Sequence, residues 1–228
     1  MHYGPKVVQG NMEICIDALN PKSGSNGTDI SGAGNTVTLV NSPTHNSDGY
    51  WDFDGVNQNL SVANNSYPAA WTDDFSLEVW MFYPSGNTWT NGYRGSIFSR
   101  GSYAGSHGLW RHGTDNVVTA FVRGDSGSKE RTVSISRDTW THIVMTWDHD
   151  SLMAIYKDGE LGQSYDPSSY NSGTPESTAW LICNKSTGSG AQSTYYDGRL
   201  ALARMYKKAL TAAEVKQNFE ATRRRFGV

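Results

Sequence analysis

The sequence predicts an all-β protein built as an antiparallel sandwich or barrel. Short runs of alternating apolar and polar residues recur along its 228 residues, and segments rich in Gly, Asn, Asp and Ser separate them. Charged residues make up 18% of the chain and hydrophobic residues 37%, both below the average for globular domains. Because the small polar residues that fill the difference disfavour helices, helical bundles and coiled coils are excluded.

The individual strands follow from period-two patterning. In residues 75–81 the apolar odd-numbered positions share one face, while Ser76, Glu78 and Trp80 take the other. The segments with this pattern are 12–16, 36–40, 50–53, 75–81, 117–122, 132–135, 142–147, 152–157, 160–164, 179–183 and 200–206. Strands at this spacing with no helix between them favour an antiparallel fold over a βαβ fold.

A single short helix is predicted near the C-terminus. Thr211 and Glu214 form a capping box, in which the Thr hydroxyl caps a backbone N–H and the Glu side chain reaches back. Leu210, Val215 and Phe219 then provide an apolar stripe. We expect this helix to pack against the edge of the sandwich.

Three Asp-Gly pairs predict tight turns, because Asp and Gly tolerate the positive φ angles that such turns need. They are Asp158-Gly159, Asp54-Gly55 and Asp197-Gly198. The two cysteines, Cys15 and Cys183, lie in apolar strand-like runs and are predicted to be small buried residues. A single disulfide between them stays open as an alternative.

Length and charge limit the number of domains and the classes of partner that the chain can bind. One domain is expected, with an N-terminal arm at 1–11, a sandwich at 12–222 and a basic tail at 223–228. The formal net charge of −3 excludes a generic nucleic-acid binder, and Arg223 to Arg225 are expected to form a solvated tail or a packing contact. No apolar run approaches a membrane span and no signal peptide is recognised, so a soluble protein is expected.

Four motifs in order carry a family resemblance. They are Trp51–Asn57, Phe75–Trp80, the pair Trp140–Trp147 and Met153–Leu161, and Tyr196–Tyr206 with the helix after it. This pattern resembles laminin G-like domains of the concanavalin A-like lectin/glucanase superfamily, over residues 10–222. The resemblance implies a jelly-roll sandwich of two curved antiparallel sheets with a short C-terminal helix.

The opening segment narrows the resemblance. Met12–Pro21, Asp29–Asn35 and Thr38–Pro43 are similar to a subgroup found among structural proteins of tailed bacteriophages. The resemblance implies a virion protein made in the host cytoplasm, with other capsid or tail proteins as partners.

Carboxylate spacing argues against an enzyme. Glucan hydrolases on this scaffold place two carboxylates on one strand, about 5–5.5 Å apart for the retaining mechanism. Here Glu78 stands alone, Glu13 and Asp17 lie at the two ends of one strand, and Asp52 and Asp54 lie at a turn. We therefore predict that the chain has no catalytic residues.

Aromatic residues in a Gly- and Ser-rich stretch are the predicted ligand-binding residues, since exposed rings stack on sugars and anchor protein contacts. They are Trp89, Tyr93, Tyr103 and Trp110. An alternative is that Trp110 and Tyr93 fill the edge of the sandwich. The tryptophans on strands, Trp80, Trp140 and Trp147, are predicted to be core.

No cofactor is expected to be required, and calcium is the candidate metal, because related domains often hold it at one rim. Asp115, Asn116 and Asp125 lie at loop ends and are the predicted ligands. His107 and His112 flank Trp110 without a partner at zinc-ligand spacing, which excludes a zinc site of standard type.

These observations lead to three hypotheses. The first is a non-enzymatic, lectin-like virion module, a capsid decoration or a component of the tail or fibre, that adheres to surface glycans without inserting into a membrane. The alternative is a free carbohydrate-binding protein. The third is a glycan-active enzyme whose site is not recognised.

Overall fold

The computed structural model describes residues 5–63, 67–70, 72–86, 95–101, 106–111, 116–124, 127–168, 178–184 and 195–228. Its described residues form fifteen strands and one α-helix. The strands are β1 (Met12–Asp17), β2 (Thr36–Val40), β3 (Thr44–Asn46), β4 (Tyr50–Asp54), β5 (Asn59–Ala63), β6 (Phe75–Phe82), β7 (Gly95–Arg100), β8 (Ser106–Arg111), β9 (Val117–Gly124), β10 (Gly127–Ser134), β11 (Trp140–Asp148), β12 (Leu152–Lys157), β13 (Glu160–Tyr165), β14 (Trp180–Ile182) and β15 (Asp197–Tyr206). The helix α1 spans Ala212–Thr222.

Two antiparallel sheets make up the described part of the chain. The eight-stranded sheet has the order β13-β12-β11-β6-β15-β4-β3, with β1 also paired to β15. The seven-stranded sheet has the order β10-β9-β8-β7-β14-β5-β2. This architecture confirms the predicted antiparallel sandwich with a short C-terminal helix.

The core lies between the two sheets. Alternate residues of each strand point inward, so that Leu77 and Trp147 of one sheet and Leu109 and Val122 of the other belong to one buried cluster. Burying such side chains provides the main driving force for folding, at about 25 cal/mol per Å² of apolar surface. The predicted division of β6 is confirmed, because Phe75, Leu77, Val79 and Met81 all point into the core between the sheets and Ser76, Glu78 and Trp80 do not.

Four strands were not predicted: β3, β5, β7 and β8. The segments of β7 and β8 are rich in Gly and Ser and therefore resemble loops in sequence. Gly108 is needed because a Cβ atom there would lie 2.3 Å from the Phe98 carbonyl oxygen. The absence of a side chain at Gly108 allows two strands to approach closely, and the residue does not form a turn.

The predicted helix and its capping box are confirmed. Thr211 accepts a hydrogen bond from the backbone N–H of Glu214, whose side chain accepts one from the Thr211 N–H. The helix reaches the expected edge, where Lys216 pairs with Glu160 of the edge strand β13, and it also covers the outer face of the eight-stranded sheet. There Phe219 stacks on Trp80, with ring centroids 5.9 Å apart.

Two of the three predicted turns are present. Asp158 and Gly159 join β12 to β13 with φ angles of 51° and 80°. Gly55, at φ 67°, follows β4 where the chain crosses to the other sheet. Asp197-Gly198 instead begins β15, and a Cβ on Gly198 would lie 2.8 Å from the Phe82 carbonyl oxygen.

Both ends of the described chain pack on the sandwich. The backbone N–H of Val8 donates to Oδ1 of Asn218 at 2.8 Å. Residues 223–226 form a 3-10 turn in which Phe226 stacks on Trp80 at 4.0 Å between ring centroids. Arg225 donates from Nη1 to Oδ1 of Asp17 at 2.7 Å, so this part of the basic run is a packing contact.

The cysteines are buried and free, so the disulfide left open by the sequence is not formed. Cys15 lies in β1 of the eight-stranded sheet, and Cys183 directly follows β14 of the other sheet. Burial raises the pKa of both thiols, which keeps them protonated at neutral pH. No helix in the described ranges has the length and apolar character needed to cross a bilayer.

Candidate functional site

One buried carboxylate lies beneath helix α1. Oε1 of Glu78 accepts hydrogen bonds from Arg204 Nη1 at 2.9 Å and from His142 Nε2 at 3.0 Å. Oε2 accepts from the Tyr206 hydroxyl at 3.2 Å and from Asn218 Nδ2 at 2.8 Å. Glu78, which stood alone in the sequence, therefore has four partners from two other strands and the helix.

The environment of Glu78 keeps it ionised. Burial alone would raise its pKa, but the charge of Arg204 and the hydrogen bonds from His142 and Tyr206 outweigh burial and hold the pKa at about 2. A general acid must hold a proton near the working pH and must reach its substrate. With a fully buried, ionised side chain, Glu78 is a structural anchor for the helix.

The other predicted carboxylates also have structural partners. Glu13 pairs with Lys207 at 2.8 Å, and Asp17 pairs with Arg225 at 2.7 Å. Asp54 accepts backbone hydrogen bonds from residues 56–58 and thereby shapes the turn after β4. Each of these three carboxylates therefore has a structural contact within the fold.

Among the predicted ligand-binding residues, Trp110 is the one that the structure describes. Its ring stacks on Phe121 with centroids 3.8 Å apart, on the outer face of the seven-stranded sheet. Trp110 is 6% exposed and Phe121 is fully buried, so the Trp110 ring faces Phe121 rather than solvent. Trp89, Tyr93 and Tyr103 lie outside the described residues.

Asn116 is likewise the described member of the predicted metal ligands, since Asp115 and Asp125 lie outside the described residues. Oδ1 of Asn116 accepts a hydrogen bond from Arg137 Nε at 3.0 Å. Across the described ranges, no group of three or more His, Cys, Asp or Glu side chains is arranged to hold a metal ion.

The strand tryptophans divide into two groups. Trp147 belongs to the core between the sheets, and Trp80 is buried beneath the helix, as predicted. For Trp140 the prediction of a core position was wrong. Trp140 starts β11, points to the outer face of the eight-stranded sheet and is only partly buried.

Around Trp140, helix α1 leaves one end of the outer face uncovered. Six partly exposed side chains meet there, four aromatic and two of opposite charge. We name this surface the outer platform; its members are Tyr50, Asp52, Phe82, Trp140, Arg199 and Phe226.

Backbone register builds the outer platform. Trp140 of β11 pairs with Phe82 of β6, Phe82 pairs with Arg199 of β15, and Arg199 pairs with Asp52 of β4. These four residues form one row across neighbouring strands. Because residues that lie directly opposite each other in a sheet point to the same side, all four side chains are on the outer face.

The rings of the outer platform converge on Trp140. Its ring centroid lies 5.8 Å from that of Tyr50, 5.5 Å from Phe82 and 5.1 Å from Phe226, at interplanar angles of 58°, 56° and 51°. β4 and β11 are three strands apart, about 14 Å of sheet. The contact between Tyr50 and Trp140 therefore shows that both side chains lean over the strands between them.

An ion pair completes the outer platform. Nε of Arg199 donates to Oδ1 of Asp52 at 2.8 Å, and the two side chains are 36% and 43% exposed. The guanidinium carbon also lies 5.0 Å from the ring centroids of both Tyr50 and Phe82. The cation–π contacts hold the Arg199 guanidinium, a donor, beside the rings, and the ion pair holds the Asp52 carboxylate, an acceptor, next to it.

A groove lies where the edge strands β10 and β13 meet. This groove has a volume of about 430 Å³. Its lining includes the hydroxyls of Thr132 and Ser134, the Gln163 amide and the exposed Leu161, but no aromatic ring among the described residues. Gln163 Oε1 is occupied by the backbone N–H of Thr132 at 2.9 Å, so part of the lining serves to join the two edges.

The comparisons with known proteins agree with the observed fold. A family model described as the concanavalin A-like lectin/glucanases superfamily matches residues 53–216. The chain belongs to this superfamily. Its laminin G-like resemblance is thereby confirmed, while no curated protein matches the sequence.

Solved structures with the same fold include receptor-binding domains of botulinum neurotoxins. The domain of neurotoxin D has a TM-score of 0.74 and 13% identity, covering 94% of this chain and 53% of that chain. The serotype D domain in complex with N-acetylneuraminic acid has a TM-score of 0.71 and 14% identity, covering 93% and 51%. The DC domain in complex with rat synaptotagmin II has a TM-score of 0.67 and 14% identity, covering 92% and 51%.

This chain thus spans about half the length of those structures. At these identities the likeness shows the fold alone. The shared sandwich fold extends over nearly the whole chain.

Proposed function

We propose that the protein is a non-enzymatic, lectin-like binding module that serves as a structural component of a virion and adheres to glycans. The observation that carries the binding function is the outer platform, where four aromatic rings and an exposed ion pair meet on one face of a concanavalin A-like sandwich. Aromatic surface with a few fixed polar groups is the general composition of a ligand site.

The absence of catalysis is supported by what the carboxylates do. Glu78 is fully buried and has a pKa of about 2, while Glu13 and Asp17 are held in ion pairs. A hydrolase needs one carboxyl group that carries a proton at the working pH and another that is free to act as nucleophile or base. These three carboxylates instead stabilise the fold.

The neighbours support binding as the general role of such a sandwich. One of the compared neurotoxin domains was solved with N-acetylneuraminic acid and another with a protein, synaptotagmin II. We therefore propose glycans as the ligands and other virion proteins as the structural partners of this chain.

The virion role rests on the opening segment, Met12–Pro21, Asp29–Asn35 and Thr38–Pro43, which is similar to structural proteins of tailed bacteriophages. Mass spectrometry of particles purified by density gradient tests this role. We expect the protein at a fixed copy number per particle. Its presence only in the lysate supernatant would contradict the virion role and favour the free carbohydrate-binding protein, which the outer platform supports equally well.

A further inference from the structure

We infer that the outer platform is the glycan site and that it binds uncharged pyranose rings. This inference rests on the proposed function, because it names the surface and the ligand class through which the module adheres. The proposed site lies on the outer face of the eight-stranded sheet, whereas the sequence had indicated the loop aromatics.

The rings provide the apolar half of the site. Tyr50, Phe82, Trp140 and Phe226 are each partly exposed although they pack on one another. Phe226 is fixed from below by stacking on Trp80 at 4.0 Å. Because the rings are braced in this way, little side-chain entropy is lost when a ligand contacts them. The C–H face of a pyranose is an apolar surface that matches such rings.

The ion pair provides the polar half. Oδ1 of Asp52 accepts a hydrogen bond from Arg199 Nε. Its Oδ2 has no hydrogen-bond partner among the described residues and can accept one from a ligand. The Arg199 guanidinium contributes further N–H donors beside the rings. A sugar hydroxyl both donates and accepts, so neighbouring hydroxyls of one ring can bond to the carboxylate and to the guanidinium together.

An apolar peptide or protein face matches this surface less well. Covering the 36% and 43% exposed side chains of Arg199 and Asp52 with apolar groups would desolvate both charges without new hydrogen bonds. A pyranose avoids this cost because its hydroxyls replace the water that the two charged groups lose.

The charge balance favours an uncharged sugar. Arg199 and Asp52 neutralise each other, so the outer platform has no net charge from this pair. A carboxylated sugar placed against the rings would meet Asp52, and an amino sugar would meet Arg199. Neither has a free counter-charge within the six side chains of the outer platform.

The experiment is a glycan array of neutral and sialylated oligosaccharides, followed by calorimetric titration with the neutral oligosaccharide that binds best. The test variants are Trp140→Ala, which removes the central ring, and Asp52→Asn, which changes an exposed carboxylate. The matched control is Tyr165→Ala. Tyr165 is also a partly buried tyrosine beneath a guanidinium, with Arg131 Cζ 4.9 Å from its ring centroid, but it lies in β13, an edge strand that contributes no residue to the outer platform.

We expect the intact protein and the control to bind a neutral glycan, and Trp140→Ala to lose about tenfold or more in affinity. Asp52→Asn should weaken binding with an unchanged thermal midpoint, which separates lost contacts from lost folding. Unchanged affinity in both test variants would overturn the outer platform as the site but leave a glycan-binding module. No binding of the intact protein to any glycan would overturn the glycan-binding function and the site together, and binding to sialylated glycans alone would overturn the ligand class.

Discussion

The Glu78 carboxylate and the Arg204 guanidinium are 2.9 Å apart beneath helix α1, and both side chains are buried. Glu78 lies in β6 and Arg204 in β15, so the pair joins the two central strands of the eight-stranded sheet. Asn218 of the helix completes the arrangement by donating to the same carboxylate. Glu78, which stands alone among apolar residues in the sequence, thus fixes the helix to the sandwich.

Replacing Glu78 by Gln should destabilise the protein strongly, because it leaves a buried guanidinium without its counter-charge. We expect a loss of about 3–5 kcal/mol in the free energy of unfolding, measured by urea titration. The control Glu160→Gln breaks an exposed ion pair with Lys216 and should cost less than about 1 kcal/mol. Equal effects of the two substitutions would contradict the structural role of Glu78.

Acid should remove the stability that Glu78 provides. Its pKa is about 2 in the folded protein against an ordinary value of 4.5, so the unfolded chain takes up the proton first. The contribution is therefore complete above pH 4.5 and falls as the pH is lowered towards 2. Unfolding midpoints of the intact protein and of Glu78→Gln should converge over this interval, and a gap that stays constant down to the acid end would disprove the assignment.

Asn218→Ala should loosen the N-terminal segment. The Asn218 side chain donates to Glu78 and accepts from the Val8 N–H at 2.8 Å, so it ties this segment to the buried cluster. Hydrogen exchange measured by mass spectrometry should show faster exchange across residues 5–11. Lys216→Ala, on the exposed side of the same helix, serves as the control and should leave the exchange of this segment unchanged.

Phe226→Ala should expose Trp80 and lower the free energy of unfolding by about 1–3 kcal/mol. The reason is the loss of a ring stacked on Trp80 at 4.0 Å and packed on Trp140 at 5.1 Å. Near-ultraviolet circular dichroism should report the altered tryptophan surroundings. Val228→Ala, at a side chain that is 45% exposed, should change neither the spectrum nor the stability.

Calcium should be dispensable for folding. Oδ1 of Asn116 is occupied by the cationic Arg137 side chain, which would have to leave before a metal ion could bind there. Thermal unfolding with excess EDTA and with excess calcium should give the same midpoint. A rise of several degrees with calcium would show that a binding site stabilises the folded state.

Local patterns were sufficient to predict much of the fold. The alternation in residues 75–81 predicted both faces of β6, and the capping box at Thr211 predicted the start of the helix. Both signals depend on residues close in sequence. β7 and β8 escaped prediction because Gly and Ser there fill narrow space between strands, as at Gly108, and so resemble turn residues.

The candidate site was harder to predict because it depends on pairing between distant strands. Asp52, Phe82, Trp140 and Arg199 form one row only after β4, β15, β6 and β11 become neighbours. Glu78 and Arg204 are 126 positions apart for the same reason. The sequence signal was present at Phe82 and Trp140, where an aromatic residue alternates with the residues of its strand that enter the core between the sheets.

The most direct measurement of the central claim is a paired assay on one set of neutral oligosaccharides, with binding followed by titration and cleavage followed by chromatography after prolonged incubation. A lectin-like module with structural carboxylates predicts saturable binding that weakens in Trp140→Ala and no shortened products at any pH. Products that disappear when a carboxylate is substituted, or a lack of binding to every glycan tested, would contradict the account.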